Sequence, residues 1–219
     1  MPRTNLLILV LALAGAMVLG GYYVMTRPAP QEVVVTPPEK PTEPVVGGID
    51  GDQAGPYMVI KVAGQANGQI TIDLFEQNAP GHVAQIRALA SEGKYDGVVF
   101  HRVIEGFMAQ TGDVEYGRVG GDMRRAGMGG SDRPDLAAEF SDIPFDRGVV
   151  GMARSQDPNS ANSQFFIMFD EGSFLNGQYT VIGRVIEGLD VLDAIKLGEG
   201  PNGAVVGEPD RMESVTITD

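Results

Sequence analysis

The sequence of 219 residues contains no cysteine. This absence excludes disulfide bonds, thiolate metal sites, a catalytic thiol and a lipid-modified cysteine anchor. It does not assign the protein to an oxidising or a reducing compartment, because a chain without cysteine is suited to both.

Histidine and the common catalytic motifs are scarce as well. The only histidines are His82 and His101, and neither has a second histidine at metal-ligand spacing, so no metal site is predicted. The sequence has neither a phosphate-binding Walker loop nor a Gly-x-Ser-x-Gly nucleophile motif. We predict that His82 lies on the surface, whereas His101 is either a hydrogen-bonded structural residue or part of the rim of a site.

Basic residues are fewer than acidic residues in this sequence. The net charge is −13, and residues 57–219 alone hold 13 Lys+Arg against 24 Asp+Glu, a net charge of −11. Nucleic-acid-binding proteins usually present a basic face, so no nucleic-acid partner is predicted. The simplest role for this acidity is solubility.

The longest apolar run is Leu6–Val24, and no charged residue lies between Arg3 and Arg27. About 20 helical residues cross a hydrocarbon layer of ~30 Å. The run therefore predicts a transmembrane anchor over residues 1–25. The alternative is a cleaved signal segment with the small residues Ala14–Ala16 at the cleavage site.

These alternatives place the protein differently. An anchor through residues 6–25 would make it a single-pass protein of the cell (inner) membrane, and we expect the domain to face the periplasm or exterior. Cleavage would leave a secreted or periplasmic protein. Residues 26–56 contain prolines at positions 28, 30, 37, 38, 41 and 44, which favour an extended spacer over a helix.

Residues 57–219 have the pattern of a β domain. Short alternating runs separated by glycine-rich turns predict strands, and two amphipathic segments predict helices over Ala79–Ser91 and Leu189–Leu197. One predicted strand is Val98–Ile104. Many short strands with only two helices favour a closed barrel or a sandwich. We expect this domain to be monomeric.

Three blocks of sequence carry the functional signal. They are Tyr95–Thr111 (YDGVVFHRVIEGFMAQT), Gly151–Ile167 (GMARSQDPNSANSQFFI) and Phe174–Gly183 (FLNGQYTVIG). In content, order and spacing they resemble the cyclophilin family over residues 57–219. The resemblance implies a mainly β fold, an eight-stranded antiparallel closed barrel capped by two α-helices. It also implies a peptidyl-prolyl cis/trans isomerase that acts on proline-containing polypeptides without a cofactor.

The resemblance also implies the site residues. The catalytic residue would be Arg102. The proline ring would bind among Phe107, Met108, Phe166 and Leu175, with Gln110 and Gln164 as polar positioners, the main chain of Ala153 and Arg154 binding the preceding residue, and Phe174 and Tyr179 completing the rim. The alternative function is a proline-recognition, chaperone or assembly module of a membrane complex, in which catalysis is incidental.

The sequence departs from the family pattern at three places. Phe174 stands where many members have tryptophan, and because phenylalanine lacks the indole N–H, weak inhibition by cyclosporin is expected. Tyr179 stands where many members have histidine. The segment 114–128 is longer and more charged than usual, and is either a tolerated loop insertion or a feature that alters access or holds a partner.

Overall fold

The computed structural model describes residues 55–218. The predicted anchor or signal segment, residues 1–25, and the spacer through residue 54 lie outside the described residues. Within the described part, no helix is both long enough and apolar enough to cross a membrane.

In residues 55–218, nine strands form one antiparallel sheet. The strands are β1 (Tyr57–Ala63), β2 (Gly68–Leu74), β3 (Val98–Val99), β4 (Arg102–Ile104), β5 (Met108–Thr111), β6 (Val149–Met152), β7 (Phe165–Met168), β8 (Val181–Glu187) and β9 (Arg211–Thr218). Their order in the sheet is β3-β9-β1-β2-β8-β6-β7-β5-β4. The helices are α1 (Pro80–Ser91) and α2 (Leu189–Asp193), and a 3₁₀ turn spans Ser173–Leu175.

The predicted fold class is confirmed, with one more strand than expected. The predicted strand Val98–Ile104 is divided, because its first half (β3) pairs with β9 and its second half (β4) pairs with β5. Between the halves, the N–H of Phe100 donates to the carbonyl of Asp210 at 2.9 Å. The chain thus passes from one edge of the sheet to the other, and the sheet curves into a half-barrel.

The apolar core forms two clusters on opposite faces of the sheet. The inner cluster includes Ile60 and Ile70 of the β1–β2 hairpin, and helix α1 packs against it through Val83, Ile86 and Leu89. The outer cluster lies on the other side of β5, β6 and β7. Its members are Phe75, Met108, Ile143, Phe145, Val149, Phe166, Met168, Leu175 and Val181.

The prediction that His82 lies on the surface was wrong. Its side chain is fully buried at the start of α1, with Nδ1 2.6 Å from Oε2 of Glu139. The same carboxylate accepts the backbone N–H groups of Gly81 and His82, both at 3.0 Å, and so caps the helix. The coil before β6, which contains Glu139, therefore covers the face of α1 on which His82 lies. The positions of the apolar residues in α1 had predicted that this face is exposed.

Helix α2 is shorter than the predicted Leu189–Leu197. It ends at Asp193 because the chain beyond it is held by tertiary hydrogen bonds. The N–H of Lys196 donates to the Asp210 carboxylate at 2.6 Å, and the N–H of Gly198 donates to the Val103 carbonyl at 2.9 Å.

Candidate active site

A row of residues crosses the outer face of the sheet in register. Arg102 on β4 pairs with Gln110 on β5, Gln110 pairs with Phe166 on β7, and Phe166 pairs with Gly151 on β6. Residues paired across adjacent strands share a face of the sheet. The pairing therefore brings together one cationic, one amide and one aromatic side chain, of which Phe166 is distant from the other two in the sequence.

Glycine is required at position 151 in this row. A Cβ atom there would lie 2.6 Å from both the Phe145 and the Phe166 ring. Without it, the two rings stack with centroids 5.7 Å apart. The Tyr179 and Phe166 rings meet edge to face with their centroids 5.8 Å apart, so Phe166 is fixed from two sides.

The guanidinium of Arg102 is held at two of its nitrogens. Nε donates to the carbonyl of Asn202 at 3.0 Å, and Nη1 donates to Oε1 of Gln110 at 3.2 Å and lies 3.7 Å from the Met108 sulfur. Within residues 55–218, no hydrogen bond joins Nη2 to another protein group. Partial burial lowers the pKa of Arg102 from its ordinary value, an effect that Tyr179 opposes, and the group stays charged at neutral pH.

The predicted site residues meet at one cavity of about 240 Å³. Its lining consists of Arg102, Phe107, Met108, Gln110, Ala153, Arg154, Phe166, Phe174, Leu175 and Tyr179. The remaining predicted residue, Gln164, lines an adjoining cavity of about 230 Å³ that shares Gln110, Ala153 and Arg154 with the first. A cavity with apolar walls and few polar groups is typical of a ligand site.

Gln110 and Gln164 are joined by a hydrogen bond. The Nε2 of Gln110 donates to Oε1 of Gln164 at 3.0 Å, and the Nε2 of Gln164 donates to the carbonyls of Gly127 at 3.1 Å and Gly129 at 2.7 Å. The Gln110 side chain therefore connects Arg102 to the loop that precedes β6.

Ala153 and Arg154, whose main chain is predicted to bind the residue before the proline, both line the cavity. The N–H of Ala153 donates to the carbonyl of Gln164 at 2.9 Å, and within residues 55–218 no backbone N–H donates to the carbonyl of Ala153. The Arg154 side chain donates to the carbonyls of Gln178 and Ser155, and its guanidinium lies 4.4 Å above the Tyr179 ring. Arg154 thus fixes the position of Tyr179 at the cavity wall.

Phe174 forms the exposed rim. The residue is 64% exposed, and the centroid of its ring lies 5.4 Å from that of the Phe107 ring. Leu175, the next residue of the 3₁₀ turn, is buried beneath it.

His101 does not form part of the rim. It is buried behind the site, next to Gly127, where a Cβ atom would lie 2.9 Å from the imidazole ring. Burial lowers the pKa of His101 from 6.5 to about 4, and the nearby Asp113 carboxylate opposes this shift.

Sequence reasoning missed two contributors to the site. The first is the backbone carbonyl of Asn202, which holds Arg102 and which no side-chain pattern could reveal. The second is Phe145, which supports Phe166 from below. The motif blocks do not include either residue, because the coil before β6 and the turn before β9 come together with the site only in the fold.

The sequence is similar to those of known peptidyl-prolyl cis-trans isomerases. The family model described as cyclophilin type peptidyl-prolyl cis-trans isomerase matches residues 57–217. A probable peptidyl-prolyl cis-trans isomerase of Brucella suis is 59% identical over 153 residues, covering 69% of this chain and 78% of that protein. An isomerase of Arabidopsis thaliana is 38% identical over 157 residues, covering 68% of this chain and 90% of that protein.

The fold is similar to those of solved cyclophilin structures. The cyclophilin AquaCyp293 from Hirschia baltica superposes with a TM-score of 0.61 at 29% identity, covering 75% of each chain. A cyclophilin-type isomerase of Cryptosporidium parvum, crystallised in the presence of the dipeptide Ala-Pro, gives 0.63 at 25% identity, covering 76% of this chain and 99% of that one. The chain belongs to the cyclophilin-type peptidyl-prolyl cis-trans isomerase family. Its activity is the isomerisation of peptidyl-prolyl bonds.

Proposed function

We propose that Arg102 is the catalytic residue of this isomerase and that the proline ring of the substrate binds in the cavity beside it. One observation carries the proposal. The Arg102 guanidinium is anchored through Nε and Nη1 at the edge of a cavity with an aromatic and aliphatic wall, while Nη2 has no hydrogen-bond partner among the described residues. An immobilised donor that is left unpaired can bind a ligand at little entropic cost.

The reaction needs neither a nucleophile nor a cofactor. Resonance gives the peptide bond partial double-bond character and a rotation barrier of ~18–20 kcal/mol. In the twisted state, the prolyl nitrogen regains a lone pair that the planar amide shares with its carbonyl. A guanidinium N–H can donate to this lone pair but only poorly to the planar nitrogen, so Arg102 stabilises the transition state more than the ground state.

The energies are of the right size. A thousandfold acceleration requires about 4 kcal/mol. A hydrogen bond from a charged donor contributes roughly 1.5–3 kcal/mol. Exclusion of water by the apolar wall and orientation of the bound ring supply the rest.

We assign the substrate as a proline-containing polypeptide. The ring would contact Phe107, Phe166 and Leu175, and the residue before the proline would pair with the main-chain carbonyl of Ala153. The solved Cryptosporidium parvum relative was crystallised in the presence of Ala-Pro, which suits this assignment.

The test is the cis-to-trans relaxation of an Ala-Pro peptide catalysed by the full chain in mild detergent. Replacement Arg102→Ala is expected to lower kcat/KM at least about 100-fold, as loss of a transition-state donor does in other enzymes. Arg102→Lys keeps the charge without the planar fork and should be intermediate. If Arg102→Ala keeps near-normal kcat/KM, Arg102 is not the catalyst and its role is in recognition.

We also propose that residues 1–25 anchor the protein in the cell membrane, with residues 26–56 as a spacer and the domain outside. The support is the apolar run Leu6–Val24 and its length. An anchor predicts a carbonate-resistant membrane fraction that retains the original N-terminus. A soluble protein whose N-terminus begins near residue 17 would instead establish a cleaved signal segment.

A further inference from the structure

The loop between β5 and β6 is organised by a single buried carboxylate. Asp113 is fully buried and accepts four backbone N–H groups. Its Oδ1 accepts those of Glu115 at 3.0 Å and Tyr116 at 2.9 Å, and its Oδ2 accepts those of Gly127 at 2.7 Å and Gly129 at 3.0 Å. One side chain therefore ties together the two ends of the segment 114–128, which forms the first half of this loop.

The loop is built to admit this carboxylate. A Cβ atom on residue 129 would lie 2.5 Å from Oδ1 of Asp113, so glycine is required there. Gly127 has a φ of +91°, which also favours glycine. The intervening charged segment folds on itself, since the Arg125 guanidinium lies 3.6 Å above the Tyr116 ring.

From the loop, an unbroken series of hydrogen bonds leads to Arg102. The carbonyls of Gly127 and Gly129 accept both hydrogen bonds from Nε2 of Gln164. This leaves Oε1 of Gln164 to accept from Gln110, whose own oxygen then accepts from Nη1 of Arg102. Each amide has one orientation that satisfies its neighbours, so the loop carbonyls determine which atom of Gln110 faces the guanidinium.

We propose that Asp113 is a positioning residue for catalysis. It holds the carbonyls of Gly127 and Gly129, which orient Gln164 and Gln110 and, through them, the guanidinium of Arg102. Asp113 is not one of the residues described as lining the cavity, so its effect on the reaction is transmitted rather than direct. This inference rests on the proposed role of Arg102.

The experiment compares two chemically identical substitutions in the full chain. Asp113→Asn removes one of the two acceptor oxygens, so either Gly127 and Gly129 or Glu115 and Tyr116 lose their acceptor. The matched control is Asp210→Asn. Asp210 is equally buried and also accepts two backbone N–H groups, from Ala66 at 2.8 Å and Lys196 at 2.6 Å.

At a temperature at which both variants are folded, Asp113→Asn should lower kcat about tenfold with little change in KM, because misplacement of a catalytic group slows the bound substrate. The NMR signal of the Arg102 Nε–H should shift in this variant. Asp210→Asn should leave both kcat and that signal at their wild-type values.

A third variant, Gln164→Leu, tests whether the effect of Asp113 reaches Arg102 through Gln164. It interrupts the series of hydrogen bonds, so adding Asp113→Asn to it should lower kcat little further. The inference is overturned if Asp113→Asn lowers kcat by the same factor in the Gln164→Leu background as in the parent. It is also overturned if Asp210→Asn lowers kcat as much as Asp113→Asn does, or if Asp113→Asn does not lower kcat at all. Normal activity of Arg102→Ala would instead overturn the proposed catalytic role, and the inference with it.

Discussion

The two faces of strand β7 contain similar side chains but serve different purposes. Phe165 and Ile167 point into the inner cluster, whereas Phe166 and Met168 point into the outer one. All four are at least nine-tenths buried. The inner face is closed by helix α1 and the rest of the sheet, but the outer face borders a cavity of about 240 Å³. An apolar stripe becomes a binding site where no element covers it.

The outer face differs in a second way. On the outer face, Phe166 pairs with Gln110, and Gln110 pairs with Arg102. On the inner face, the corresponding row stays apolar, because Ala109 on β5 pairs with Val103 on β4. A polar row beside an uncovered aromatic ring can bind a ligand that is apolar on one side and polar on the other, as an X-Pro peptide is.

The largest expected effect is on the inner face. Phe165→Ala should lower the free energy of unfolding by ~3–5 kcal/mol, because it leaves a void in a closed core. Denaturant unfolding measures this loss. Among the molecules that remain folded, kcat/KM should stay close to that of the wild type. A large drop in kcat/KM per folded molecule would contradict the separation of the two faces.

Phe166→Ala should lower stability less than Phe165→Ala does, and should lower kcat/KM more. The ring already borders a cavity, so we expect a smaller stability loss, on the order of 1–3 kcal/mol. Removal of the ring should raise KM and lower kcat/KM about 10–100-fold, since the proline ring loses its contact. Peptide kinetics and unfolding of the same preparation give both numbers. If stability falls as far as in Phe165→Ala while KM is unchanged, Phe166 belongs to the core.

The buried residue His101, which follows β3 in the chain, predicts a pH dependence. Burial lowers its pKa from 6.5 to about 4, so the folded state binds fewer protons than the unfolded state between these values. Stability from this group is complete above pH 6.5 and is lost as the pH falls through 4. We expect a loss of roughly 1–3 kcal/mol, measured by denaturant unfolding at each pH.

The matched variant is His101→Phe, which keeps a ring but cannot titrate. It should flatten the dependence of stability on pH between 6.5 and 4. An unchanged slope would mean that other groups cause it.

The smallest effect is expected at the rim. Phe174 is largely exposed and has no N–H donor, so Phe174→Trp should hardly change stability or kcat/KM. It should strengthen inhibition by cyclosporin, which we expect to be weak in the parent. Inhibition constants of both proteins, measured in the peptide assay, decide this. A low-nanomolar constant for the parent would contradict the role given to the missing donor.

Much of the fold and of the site could be predicted from sequence. The β1–β2 hairpin and helix α1 follow from local alternation and periodicity. The cavity lining follows from the motif blocks, because those blocks supply the strands that meet there. The division of Val98–Ile104 could not be predicted, since it depends on the partners that each half finds across the sheet.

The remaining misses are long-range polar contacts. His82 is buried because Glu139, 57 residues further on, reaches back to it. Asp113 did carry a local signal, an aspartate before a glycine-rich loop, which is typical of a side chain that accepts loop N–H groups. Its connection to Arg102 passes through Gln164, and only the folded structure shows that path.

The most direct test separates catalysis from binding. NMR exchange measurements at saturating Ala-Pro peptide give the rate of cis/trans interconversion on the protein, and titration gives the dissociation constant. For Arg102→Ala, we predict that interconversion slows at least about 100-fold while the dissociation constant stays close to that of the parent. Unchanged interconversion in this variant would contradict the account, because the twisted amide would then be stabilised without Arg102.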